Sequence, residues 1–118
     1  MAIMLIYRVP GATPEHYDRV RSVERWDEAP QPGGIAHFIS FDETGAVEVD
    51  VWESRQAFDD YWTHRHEPVL KSLGIEVGEP EVLELHNLAI GAEVAPYQLA
   101  AAVPRPKVTR VLESDALA

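Results

Sequence analysis

The stretch Gly34-Ile35-Ala36-His37-Phe38-Ile39-Ser40-Phe41, then Asp42-Glu43-Thr44-Gly45, then Ala46-Val47-Glu48-Val49-Asp50-Val51-Trp52, decides the fold. Both flanking runs alternate along the chain, and the four residues between them read as a hairpin turn. A loop of two residues or of four gives the same register. Phe41 then faces Ala46, Ile39 faces Glu48, His37 faces Asp50 and Ile35 faces Trp52, each pair close enough for side chains to interact. A slip of one residue would send every side chain to the other face. A cross-strand histidine and carboxylate, His37 and Asp50, therefore follows from pattern alone.

Working outward, Ile3 to Tyr7 is a short apolar run that reads as a buried strand ended by Val9-Pro10-Gly11-Ala12. Thr13-Pro14-Glu15 is a helix start, with a capping threonine, proline at the first helical position and an acid in the first turn. That helix runs to about Arg25 and turns Tyr17 and Val20 inward. Trp26 to Gly33, with Pro30, Pro32 and Gly33 followed by Gly34, is a breaker-rich crossing into the hairpin. Ser54 caps a second helix whose apolar positions run from Ala57 to Leu73, with Pro68 placed to bend or divide it and Gly74 to close it. Val82-Leu83-Glu84-Leu85-His86-Asn87 alternates as a fourth strand. The order strand, helix, strand, strand, helix, strand is the split βαβ, or ferredoxin-like, α+β unit with an antiparallel sheet.

One domain over residues 1–91 and an extension over 92–118 are expected. The extension is broken by Pro96, Pro104 and Pro106, and Lys107 to Glu113 reads as an added strand or a mobile arm. The chain has 118 residues, 46% of them hydrophobic, which suits a folded domain with one modest core. Zero cysteines exclude disulfides, thiolate metal sites and cysteine nucleophiles. Twenty acids against ten bases give a net charge of −10, which repels phosphate backbones and anionic membranes, so neither nucleic acid nor membrane is the expected partner. No apolar run is long enough to span a bilayer, and the N-terminus lacks the features of a secretory signal; the expected location is cytoplasmic.

On the hairpin, Ala36, Phe38, Val47, Val49 and Val51 form one face, expected to lie under the helices. The other carries Ile35, His37, Ile39, Phe41, Glu48, Asp50 and Trp52 and is too apolar to leave in water. The same face of a second copy is the expected cover, because two-fold dimers are the commonest oligomers. Ionisable groups enclosed in an apolar space would then form a small-molecule site.

The strand order, together with Asp50-Val51-Trp52-Glu53-Ser54-Arg55-Gln56-Ala57-Phe58 at the turn from third strand to second helix, resembles the dimeric α/β-barrel proteins of the antibiotic biosynthesis monooxygenase type. The resemblance covers about residues 1–90. It implies a homodimer with a ligand site between sheet and helices, and activities ranging over cofactor-independent oxygenation of activated aromatics, polyketide cyclisation, isomerisation, lyase reactions, haem degradation and regulation. Fold does not choose among them. Haem degradation implies a histidine near Val69 to Lys71, where this chain has lysine.

The residues themselves point to His37 as a general base, with Asp50 fixing its tautomer and raising its basicity. Proton removal from a phenol, or from carbon beside a carbonyl, leads to oxygenation, cyclisation, isomerisation or elimination, none of which needs a cofactor. His86 is a second catalytic candidate. Trp52, Tyr7, Ile35, Ile39, Phe41, Glu84 and His66 are expected to contact substrate, while Glu48 reads as a solvated rim residue and His64 as solvent-facing. His37, Asp50, Glu84 and His86 are a first-row metal set in residue type, but their spacing lacks a ligand motif, and no metal is assigned. The expected function is a cofactor-free enzyme of secondary or catabolic metabolism acting on an aromatic or polyketide-like molecule, with oxygenation favoured by the resemblance. Non-oxidative cyclase, isomerase or lyase chemistry is one alternative. A non-catalytic ligand-binding or stress-associated barrel, in which the same residues merely line the interior, is the other.

Overall fold

Alternating sequence becomes an antiparallel sheet in the computed structural model, which describes residues 1–25 and 31–99. The strands are β1 (Ile3–Pro10), β2 (Gly34–Asp42), β3 (Gly45–Trp52) and β4 (Glu81–Glu84), in the order β2-β3-β1-β4. Between β1 and β2 runs α1 (Pro14–Glu24), held at its start by a capping box in which Thr13 and His16 bond each other's backbone N–H groups. The expected second helix is three pieces in succession: α2 (Arg55–Tyr61), a π turn (Trp62–His66) and α3 (Glu67–Ser72). Pro68 accounts for the division, since its ring is incompatible with a regular turn beneath it and an extra residue in that turn relieves the clash. The extension begins with a 3₁₀ helix (Ala92–Tyr97). The expected crossing residues 26–30, and the proposed strand Lys107 to Glu113, lie outside the described residues.

The hairpin register matches expectation at Phe41 and Ala46, Ile39 and Glu48, and His37 and Asp50. It departs at the end. A bulge pairs Gly34 with Trp52 and Ala36 with Val51, so Ile35 does not face Trp52 and is left 43% exposed. The turn itself is built by Asp42, whose Oδ1 accepts from the Thr44 and Gly45 N–H groups and the Thr44 hydroxyl. Gly45 sits at φ 145°, and a Cβ there would lie 2.2 Å from the Val9 carbonyl oxygen. Gly45→Ala is expected to destabilise the domain by more than about 1 kcal/mol, measured by urea unfolding, because both conformation and space oppose the methyl group.

The two sheet faces are the reverse of the expected assignment. Helices cover the face bearing Ile3, Leu5, Tyr7, Val9, Ala46, Glu48, Asp50 and Trp52, all of them buried. Trp52 meets Phe58 edge-on and stacks on Tyr61, and Tyr7 meets Trp62 edge-on. These aromatics need a partner of equal area, and the helices of the same chain supply it. Phe38 and Leu83, on the opposite face, are 47% and 42% exposed.

β4 is shorter than expected. Ile3 pairs with Glu84 and β1 begins at Ile3, so beyond Glu84 the ladder continues, among the described residues, only through the bond from the Leu85 N–H to the Ala2 carbonyl. His86 and Glu84 are exposed as a result.

Candidate functional site

Two rungs of the sheet place the polar groups. His37, Asp50 and Leu5 lie side by side on β2, β3 and β1, and the next rung is Ile39, Glu48 and Tyr7. His37 Nδ1 is 2.6 Å from Asp50 Oδ1. A carboxylate only accepts, so Nδ1 carries the proton and Nε2 holds the lone pair, with the Tyr17 hydroxyl of α1 3.3 Å from it. Asp50 Oδ2 accepts from the Tyr7 hydroxyl at 3.3 Å and from the Trp52 indole N–H at 3.5 Å. The carboxylate is thereby held on both oxygens.

Electrostatics follow from this enclosure. Burial works against protonating His37, but the hydrogen bond and charge of Asp50, helped by Glu48 and Glu24, outweigh it and raise the imidazole above its ordinary value. Glu48 is 7% exposed rather than a solvated rim residue, because its rung lies between Ile39 and Tyr7 beneath α1. Burial raises its carboxyl pKa, and the Asp50 charge adds to this against the pull of His37. Burial also raises the pKa of Tyr7, Tyr17 and Tyr61, leaving all three hydroxyls as proton donors at neutral pH.

A second acid and histidine stand across the Trp52 and Tyr61 stack. Glu24 ends α1 and His66 lies in the π turn; His66 Nδ1 is 2.7 Å from Glu24 Oε2, and the Tyr61 hydroxyl donates to Glu24 Oε1 at 2.7 Å. Arg65 donates to the Glu24 carbonyl oxygen and so turns back onto α1 rather than out with His64. His64 is exposed, its Nδ1 bonded to the Asp60 carbonyl.

His37, Asp50 and His66 line a cavity of about 1000 Å³ bounded by the sheet, the helices and the segment that carries Leu88, Ile90, Val94 and Leu99. Of the expected contacts, His37, Asp50, Tyr7, Trp52, Ile35, Ile39, Phe41 and His66 reach its wall, joined by Glu48, Tyr17 and Tyr61. His86 and Glu84 do not. Sheet order explains this, since β4 stands three strand spacings, about 14 Å, from β2. His37 and Asp50 are not brought together with Glu84 and His86, and among the described residues no group of three or more His, Asp or Glu is placed to hold a metal ion. Sequence reasoning missed Glu24 and Tyr61 because a contact between two helix ends leaves no periodic signal; Glu48 was visible by parity but not by depth.

No family model matches the chain, and no curated protein matches its sequence. Solved structures do resemble it. SnoaB, a cofactor-independent oxygenase from Streptomyces nogalater, superposes with a TM-score of 0.56 at 17% identity, over 74% of this chain and 95% of SnoaB. The fold is that of the antibiotic biosynthesis monooxygenase-like proteins. A proposed monooxygenase of this type from Chloroflexus aurantiacus gives 0.53 at 17% identity, over 77% of this chain and all of that one. A conserved protein from Methanosarcina mazei gives 0.52 at 12% identity, over 71% and 92%. At such identities the fold alone is shared, and site residues must be argued from this chain. Among the described residues, no helix is long and apolar enough to cross a membrane.

Proposed function

We propose that the protein is a small-molecule enzyme in which His37 removes a proton from an activated aromatic or polyketide-like substrate. One observation carries this reading: a histidine whose Nδ1 is held 2.6 Å from a buried carboxylate and whose Nε2 meets the Tyr17 hydroxyl, both side chains lining an apolar cavity large enough for a ring system. Asp50 sets the tautomer and stabilises the imidazolium, and Tyr7 and Trp52 hold Asp50. Trp52, Ile39 and Phe41 supply the apolar wall, and substrate displaces the Tyr17 hydroxyl from Nε2.

Oxygenation is the favoured fate of the carbanion, supported by the cofactor-independent oxygenase on the same fold. Dioxygen is the oxidant: the carbanion forms a C–O bond to it, the resulting hydroperoxide loses water, and a ring CH₂ becomes a carbonyl. One oxygen atom stays in the product and the other leaves as water. A second reading, isomerisation or another non-oxidative route, is favoured by Glu48, a buried acid beside the base that is able to return a proton to another carbon.

Oxygen uptake measured beside product formation on polyhydroxylated aromatics separates these fates, and full-rate anaerobic turnover would eliminate oxygenation. His37→Ala is expected to abolish turnover with the circular dichroism spectrum intact. Turnover at the wild-type rate would remove the base from the mechanism.

The enclosed inner face also changes the proposed dimer. Among the described residues, the apolar surface left exposed on the sheet is the outer one, around Phe38 and Leu83, and a stable pair would bury about 800 Å² of each subunit there. Phe38→Glu is expected to yield monomers in sedimentation equilibrium where the parent protein is dimeric. A parent that sediments as a monomer would refute the arrangement.

A further inference from the structure

The cavity has two histidines in the same electrical arrangement. His37 and His66 each have Nδ1 against a buried carboxylate oxygen, at 2.6 Å and 2.7 Å, so Nε2 is the nitrogen each turns to other groups, the Tyr17 hydroxyl in the case of His37. Both histidines line the one cavity. Between the pairs lies a single aromatic step, the Trp52 indole stacked on Tyr61 with centroids 5.0 Å apart. The indole N–H reaches Asp50, and the Tyr61 hydroxyl bonds Glu24 at 2.7 Å and lies 2.9 Å from His66 Nδ1. Charges of the second pair are felt across the cavity: Glu24 acts on His37, and His66 acts on Glu48 beside the first pair.

Burying an acid and a histidine is costly unless both are paired, and this pairing uses Nδ1 alone. The base at His37 needs no such group on the far side of the aromatic wall. We propose that His66 is the second polar pole of the substrate site, contacting an oxygen function on the edge of the ring system away from the atom that His37 deprotonates. Glu24 and Tyr61 are positioning residues that hold the His66 ring. The substrate class is therefore an aromatic with oxygen functions on two edges. This deepens the proposed function and rests on His37 as the base at the first edge.

The test compares 2-naphthol with 2,7-dihydroxynaphthalene on the full chain. Calorimetric titration is expected to show the diol binding at least about tenfold more tightly, the gain from one hydrogen bond to a charge-stabilised imidazole. In Glu24→Gln and His66→Phe that preference is expected to fall within about twofold. On the parent protein, the His66 side-chain ¹⁵N resonances should move with the diol and stay in place with 2-naphthol, a measurement that needs no variant to fold. Equal affinities of the parent protein for the two probes, a preference surviving in either folded variant, or an unmoved His66 resonance would overturn the proposal. The His37 reading is scored separately by the naphtholate absorption band: His37→Asn is expected to lose that band with both probes while keeping the diol preference.

Discussion

Asp50→Asn is expected to lower kcat/KM by about a hundredfold to ten-thousandfold with the fold intact, the range a positioned general base contributes. The amide is nearly isosteric and still accepts from His37 at Oδ1, while its NH₂ in place of Oδ2 can donate to the Tyr7 hydroxyl oxygen but no longer accepts from the Trp52 indole N–H. What disappears is the stabilisation of the imidazolium formed when His37 takes the proton. The pH profile distinguishes this from structural damage. His37 must be neutral to act, so kcat/KM should rise with pH through an apparent pKa above 6.5; in Asp50→Asn burial is left with less opposition and the midpoint should move down.

Stability carries its own sign. The folded pKa of His37 is raised above the unfolded value, so its pairing stabilises the protein fully below about pH 6.5, and this contribution is lost as pH rises through the folded pKa. Asp50→Asn should therefore destabilise more in mild acid than in alkali. A substitution that cost equal stability at both ends, or left the rate profile in place, would mean that the pair is packing alone.

Leu5→Ala is the second large effect, expected to cost about 2–5 kcal/mol and to lower the melting temperature by roughly 10–20 °C in differential scanning calorimetry. Leu5 is fully buried, on the same rung as Asp50 and Val82, and does not line the cavity. Removing its methyl groups leaves a void under the site without altering any polar contact. A loss below about 1 kcal/mol would show that the inner layer collapses easily and that the cavity walls are soft.

How much could be read in advance varies with the range of the interaction. Hairpin register was legible because it rests on two alternating runs and a turn with an Asp at its first position, all local. Capping at Thr13 and Ser54 was legible for the same reason, and so was helix closure at Gly74, whose φ is 71°. The bulge at Ile35 was not: Gly34 packs against the Trp52 indole and the chain turns back through the Gln31 carbonyl, contacts that no alternation announces. Facing was the larger miss. Valines on one side and aromatics with acids on the other gave no rule for which side the helices would choose.

By itself, the sequence determined an α+β ferredoxin-like order, the cross-strand pairing of His37 with Asp50, and the parity that puts Glu48 and Trp52 on the same face as that pair. Those follow from periods of 2 and 3.6 residues and from turn chemistry, which act over a few positions. Tertiary structure decided that the chain's own helices, rather than a second copy, enclose that pair. It also decided that His86 and Glu84 stay outside, and that Glu24, Tyr61 and His66 assemble opposite. Each of these depends on matching areas between elements far apart in sequence, on the position of β4 in the sheet order, or on the turn that Pro68 widens, and such fits exist only once the layers have packed.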